Sequence, residues 1–135
     1  MSIELQEVKD NFLLFDSQLD KFEYLIELGK NNKGLSDSYK IDNNLIIGCA
    51  SKSWVVCYQK DNLFFIDIDS EALIVRGLLS ILQIAINGKT SSEIMDANGI
   101  KILTDIGMGN SITSQRMNGF ISALKTIKVL VDRYE

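Results

Sequence analysis

The stretch LIIGCASKSWVVCYQKDNLFFIDIDS, residues 45–70, decides how this chain folds. Within it, 45–47, 54–58 and 63–68 are short runs of apolar, β-branched or aromatic residues, the composition of strands. Lys60-Asp61-Asn62 separates the second run from the third and reads as a hairpin turn, because Asp and Asn bond to their own backbone and tolerate left-handed conformations. Between the first run and the second lies a small, polar connection, Gly48-Cys49-Ala50-Ser51-Lys52-Ser53. The expectation is a three-stranded antiparallel sheet.

Outward from this stretch the periodicity is helical on both sides. Residues 3–15 place Leu5, Val8, Phe12 and Phe15 on one face, and 18–30 repeat the pattern with Leu19, Phe22, Leu25 and Ile26, Gly29 standing where a helix stops. Residues 31–44 are polar, with Gly34, Ser36 and Asp37, a long loop of the kind that often carries function. Residues 72–86 are apolar nearly all round, interrupted by Arg76, Ser80 and Gln83, and predict a buried central helix. Thr90-Ser91-Ser92-Glu93 has the pattern of a capping box, Gly99 and Gly107 punctuate two short helices, and the spacing of Met117, Ile121, Leu124, Lys128 and Val131 predicts a last helix over 114–131. The order is helices, three strands, helices: an α+β class with a small antiparallel sheet packed against helices. With 135 residues, 1–135 reads as a single domain.

Composition removes whole classes of chemistry. Fourteen Lys+Arg against eighteen Asp+Glu give a net charge of −4, so no nucleic acid and no anionic membrane is expected as a partner. There is no His, which rules out Ser-His-Asp and Cys-His catalysis and His-ligated metals within this chain. Two cysteines alone are too few for a zinc or iron–sulfur site, and too few for a secreted disulfide scaffold. The longest uncharged stretch, 77–88, is far short of the about 20 residues that span a bilayer, and the N-terminus lacks the apolar core of a signal peptide. A soluble, cytoplasmic protein of a reducing compartment is the expectation.

Cys49 is the main candidate for chemistry. It follows Gly48, whose permissive backbone helps to present a neighbouring side chain from a loop at the end of a strand. The context is equally compatible with a small buried hydrophobe, the usual fate of a free cysteine. Cys57 lies inside an apolar strand and reads as a core residue; the alternative, a resolving thiol for Cys49, lacks CxxC spacing. Trp54 reads as core. Asp67, Asp69 and Glu71 form either a carboxylate site or a strand end with charges that compensate the next helix dipole. Arg116 sits near a helix start, an unfavourable place for a cation, and calls for a carboxylate partner or an anionic group, unless it is a solvated surface arginine.

Five pieces in order resemble one family: Gly48-Cys49-Ala50-Ser51-Lys52-Ser53-Trp54, Asp69-Ser70-Glu71-Ala72, Ile74-Val75-Arg76-Gly77-Leu78-Leu79, Asn87-Gly88-Lys89-Thr90, and Ser114-Gln115-Arg116-Met117-Asn118-Gly119. Together with Leu25-Ile26-Glu27-Leu28-Gly29-Lys30 they are similar to the SufE/CsdE family of sulfur acceptors in iron–sulfur cluster assembly, over roughly residues 12–130. The resemblance implies the SufE/NifU-like α+β fold. It also implies that Cys49, at the position of the family's Gly-Cys-x-Ser cysteine, accepts sulfane sulfur as a persulfide from a PLP-dependent, SufS- or CsdA-like cysteine desulfurase. The chain would stimulate that enzyme and pass the sulfur to a SufBCD-like scaffold, with no cofactor of its own. Arg116 would shape the cysteine pocket or the partner interface, and the loop 49–54 would meet the partner; a homodimer is an allowed assembly. Such a protein is a transpersulfidation partner rather than a stand-alone enzyme. This chain departs from the family pattern at Ala50, at Lys52-Ser53 where Gln-Val is usual, at Glu71 and at Gln115.

Persulfide transfer suits a His-free chain, since it needs one attacking thiolate and a sulfur electrophile brought by the partner. Two other readings stay open: a regulatory activator that carries no sulfur, and an IscU/NifU-type scaffold, which would need three cysteines and a fourth ligand. A thiol-redox enzyme ranks behind them. Because a persulfide is oxidisable, the cysteine loop is expected to retract into apolar surroundings between encounters.

Overall fold

Side-chain alternation and turn chemistry make the hairpin at the centre of the chain. In the computed structural model, which describes residues 2–108 and 112–134 (backbone only at 2–4), β1 (Ser53–Lys60) and β2 (Leu63–Ser70) pair antiparallel from Ser53 opposite Ser70 to Lys60 opposite Leu63. Asp61 and Asn62 join them at φ 55° and 66°, the paired left-handed conformation whose twist matches a two-residue hairpin. Phe64, Ile66 and Ile68 alternate inward from β2 and are buried.

The predicted third strand does not form: the sheet is two-stranded among the described residues. Leu45 makes a single bridge to Trp54 and the Ile46 N–H donates to the Ser53 carbonyl at 2.8 Å. Pairing then ends, because Gly48 turns the chain away at φ +101° and leaves Ile47 exposed. The run 45–47 is apolar but one residue too close to that turn.

Around the hairpin stand α1 (Ser2–Leu14), α2 (Gln18–Asn31), α3 (Leu73–Ile86), α4 (Ser91–Met95), α5 (Gly99–Asp105) and α6 (Ser114–Asp132). As its composition predicts, α3 is central, burying Gly77 through Leu82 and Ile86 against β2 and α2. The capping box forms: the Thr90 hydroxyl accepts from the Glu93 N–H and the Glu93 carboxylate from the Thr90 N–H. On α6 the buried stripe is Phe120, Ala123, Leu124, Ile127 and Val131, one position round from the predicted one; Met117, Ile121 and Lys128 flank it, half-buried. No helix among the described residues is long and apolar enough to cross a membrane.

Gly29 does not stop α2, contrary to expectation. It lies inside the helix where α2 crosses α3: a Cβ on Gly29 would stand 2.5 Å from the Leu73 carbonyl oxygen, and one on Gly77 would overlap the Leu25 carbonyl oxygen. The two helices touch backbone to backbone. The same crossing turns Leu25 inward and leaves Leu19 exposed, so the predicted face of α2 is only partly buried.

The polar stretch after α2 is ordered by one buried carboxylate. Asp69 accepts from the Leu35 N–H at 2.9 Å and the Ser70 N–H at 2.8 Å, and pairs with Lys40 at 3.2 Å and Arg76 at 3.5 Å, while Arg76 also bonds the Asn32 carbonyl. Burial pushes the Asp69 carboxyl up, but the two N–H groups, Lys40 and Arg76 outweigh it and hold it below the usual carboxylate range. A carboxyl whose folded pKa is depressed contributes stability that is present above its unfolded value and lost as pH falls through the folded one. The stability gap between wild type and Asp69→Asn, measured by urea unfolding, should therefore be wide at pH 7 and narrow below about pH 4. A gap of the same size at both ends would refute this account.

Candidate functional site

Closing the Ile46–Ser53 pair leaves residues 47–52 as a short loop with both stems tied to the hairpin. Its second stem is held from β2: the Lys52 carbonyl accepts from the Glu71 N–H at 3.0 Å and from the Ser70 hydroxyl at 3.3 Å. Gly48 lets the loop lie on α6, for a Cβ there would be 2.6 Å from the Ser122 hydroxyl oxygen, in a backbone conformation that L side chains resist.

That turn directs Cys49 back onto α6. Its Sγ–H donates to the Gly119 carbonyl at 3.7 Å, a weak bond, and a Cβ on Gly119 would be only 3.5 Å from the sulfur. The thiol is half-buried. Burial pushes it above the ordinary thiol value, and a hydrogen bond from the Ser53 side chain offsets part of that rise. Cys49 therefore rests as a neutral thiol, placed between the two sequence readings: neither a fully buried hydrophobe nor an open nucleophile.

The thiol opens on a cavity of about 410 Å³. Cys49, Ala50 and Ser51 line it from the loop, Leu73, Ile74, Val75, Leu78 and Leu79 from α3, Ile26 from α2, and Arg116 and Phe120 from α6. The structure thus brings both predicted site residues, Cys49 and Arg116, to the same cavity. Arg116 has no Asp or Glu within ion-pair distance among the described residues. Its guanidinium sits 5.5 Å over the Phe22 ring instead, which compensates a cation near a helix start, and its N–H is capped by the Thr113 hydroxyl at 3.3 Å. An apolar hollow with one thiol and, among the described residues, one cation without a carboxylate partner suits a small, polarisable, anionic guest.

The other candidates fall away from this cavity. Cys57 is half-buried on β1, its thiol pushed up to about 11 by burial, and both cysteines are free thiols. Trp54 is buried, with the Lys40 ammonium 5.7 Å from its ring. Asp67, Asp69 and Glu71 do not act together: Asp69 is the ion-pair centre described above, Asp67 receives the Gln83 side-chain amide at 3.4 Å, and Glu71 is exposed. Nor do they charge the start of α3, whose first turn holds no acid; the Ser70 hydroxyl accepts the Ala72 N–H there, at 3.2 Å. Among the described residues no three His, Cys, Asp or Glu side chains gather as a metal site. Sequence reasoning quoted Ser53 and Gly119 within the site's motifs but missed Phe22 as a neighbour of the site. Phe22 carried no signal beyond its place on a helical apolar face.

Comparisons with known proteins show the family and the fold of the chain. The SufE family model, described as an Fe-S metabolism associated domain, matches residues 6–131. A SufE-like protein of Rhizobium meliloti is 35% identical over 128 residues, covering 92% of this chain and 91% of that one. The cysteine desulfuration protein SufE of Wigglesworthia glossinidia brevipalpis is 30% identical (87% and 83% covered), and the sulfur acceptor protein CsdE of Escherichia coli 29% (87% and 81%). The fold is similar to the solution structure of a Thermus thermophilus protein, with TM-score 0.74 at 14% identity over 96% of this chain and 93% of that one. It is also similar to the N-terminal part of a NifU-like protein from Brucella abortus, with TM-score 0.58 at 11% identity over 88% and 100%.

Proposed function

The chain belongs to the SufE family, and from that premise we propose that it receives sulfane sulfur on Cys49 from a PLP-dependent cysteine desulfurase and passes it to an iron–sulfur cluster scaffold. The Cys49 thiolate attacks the terminal sulfur of the partner's cysteine persulfide. A new S–S bond forms at Cys49, the partner's S–S bond breaks, and the partner's cysteine leaves as a thiolate. The result is a Cys49 persulfide with no net oxidation, so no cofactor of this chain takes part, and the reducing cytoplasm is where the thiol would stay competent. The observation that carries the reading is the placement of the Cys49 sulfur at a cavity it shares with Arg116. Arg116, lining the same cavity, would offer its guanidinium to the anionic persulfide, and Arg116→Gln should slow transfer about tenfold while leaving thermal stability within about 0.5 kcal/mol of wild type. The desulfurase and a SufBCD-like scaffold are the partners so proposed, the loop 49–54 being the surface they meet.

The direct test is intact mass after incubation with a cysteine desulfurase and cysteine. A gain of roughly 32 Da, removed by reductant, supports sulfur transfer; no gain with several desulfurases overturns it. A second expectation follows from the half-buried, neutral thiol. Iodoacetamide should label Cys49 slowly in the chain alone and several-fold faster with desulfurase present, as the loop moves out. Equal rates in both conditions would show that no such movement occurs.

A further inference from the structure

Phe22 and Ile26 stand one turn apart on the same side of α2, and both are half-buried. Ile26 lines the Cys49 cavity, and Phe22 carries the Arg116 guanidinium 5.5 Å over its ring. The ring is firmly seated, because Phe22 packs against the hydrophobic core and α2 meets α3 backbone to backbone at Gly29 and Gly77. On its own helix, Arg116 stands one turn before Gly119, whose carbonyl takes the Cys49 thiol. The aromatic contact therefore runs from a fixed helix to the turn beside the sulfur. Among the described residues Arg116 is the only charged side chain lining the cavity, and it has no carboxylate within ion-pair distance. A carboxylate would hold the guanidinium but cancel its charge, whereas a ring face holds it and leaves the charge whole. Apolar walls, among them Leu73, Val75 and Leu78, keep that charge from being screened.

We propose that Phe22 is a positioning residue: its ring holds the Arg116 cation at the Cys49 cavity, so that the cavity accepts negative charge beside the sulfur more readily than a neutral group of the same shape. The inference deepens the sulfur-acceptor reading, on which that negative charge is the terminal sulfur of the Cys49 persulfide. Other charges nearby do not take this place. Lys52, the loop's own cation, is exposed and lines no part of the cavity, and Glu23 and Glu27, next to Phe22 and Ile26 on α2, are exposed.

The test compares two alkylating reagents of nearly the same shape on the full chain without any desulfurase: iodoacetate, which is an anion, and iodoacetamide, which is neutral. The same Cys49 thiolate attacks both, and both release iodide. The ratio of their rates, read site by site by mass spectrometry, therefore reports the charge at the cavity and cancels changes in thiol ionisation or loop exposure. Arg116→Gln should lower the iodoacetate-to-iodoacetamide ratio at Cys49 about fivefold, and Phe22→Leu should lower it about threefold. Phe22→Tyr keeps a ring face and should keep the wild-type ratio. Phe22→Leu added to Arg116→Gln should change the ratio no further, and the ratio at Cys57 should stay unmoved throughout. A merely structural role for Phe22 would speed or slow both reagents alike and leave the ratio in place; that result overturns the proposal. So does a ratio indifferent to Arg116→Gln, a tyrosine variant that behaves as leucine does, a Phe22→Leu effect that persists without Arg116, or a Cys57 ratio that falls in step. Should Phe22→Leu fail to fold, Phe22→Met, flexible enough to refill the space without a ring, decides in its place. Because no sulfur donor is present, failure here is separate from failure to form a persulfide, which the mass gain reads.

Discussion

Cys49→Ser is expected to abolish the one-sulfur mass gain completely, leaving a chain that melts within about 1 kcal/mol of wild type. The serine oxygen fits the same space and can donate to the same Gly119 carbonyl that receives the thiol, so the loop keeps its place. Chemistry is lost entirely, because an alkoxide is not available at neutral pH and an oxygen cannot carry sulfane sulfur. Cys57 cannot substitute: its thiol, pushed up to about 11 and lying on β1, lines no part of the cavity. The same variant separates two functions. If desulfurase turnover is stimulated as much by Cys49→Ser as by wild type while neither gains sulfur, the chain is an activator that carries none. If stimulation and mass gain vanish together, Cys49 is the acceptor whose emptying of the desulfurase drives its turnover.

Gly77→Ala is expected to give the largest loss of stability of any single methyl addition described above. The new Cβ would overlap the Leu25 carbonyl oxygen, a backbone atom of a packed helix that cannot rotate aside. Alanine favours a helix by about 1 kcal/mol over glycine, but overpacking against rigid backbone outweighs this, for a net cost of about 3 kcal/mol and a fall in melting temperature on the order of 10 °C. Gly99→Ala is the control, since its Cβ would meet only the Phe120 and Ile121 side chains at 3.4 Å or more; its effect should stay below about 1 kcal/mol. Equal melting of the two variants would disprove the close crossing of α2 and α3.

Local patterns were legible and close approaches were not. The hairpin, the central helix α3 and the Thr90–Glu93 box each depend on residues within a few positions of one another, and each formed as read. Residues 45–47 failed as a strand because the neighbouring Gly48 turn, a single backbone angle, outranked their propensity. Gly29 was misread because a glycine at a helix end and one at a helix crossing look alike until the second helix is placed. Cys49 and Arg116 were identifiable from their motifs, which sit in order along the chain. How the two motifs meet was not: Gly119 touches Cys49 and Phe22 touches Arg116 only through packing of α6 and α2, contacts between positions 70 residues apart or more. Asp69 showed the same limit in a different form, since its partners Leu35, Lys40 and Arg76 come from two other segments.

The crossing of α2 and α3 also makes the cavity mechanically lopsided. Where two helices already touch through their main chains, they cannot draw nearer, and their shared surface behaves as a fixed jaw. The opposing jaw is the cysteine loop, whose stems rest on a few hydrogen bonds to Ser53, Ser70 and Glu71. The α2–α3 side of the hollow is thus fixed, and room for a guest would have to come from the loop or from α6. On the function proposed above, the sulfur would ride on that loop, so opening the hollow and carrying the sulfur toward a partner would be one motion.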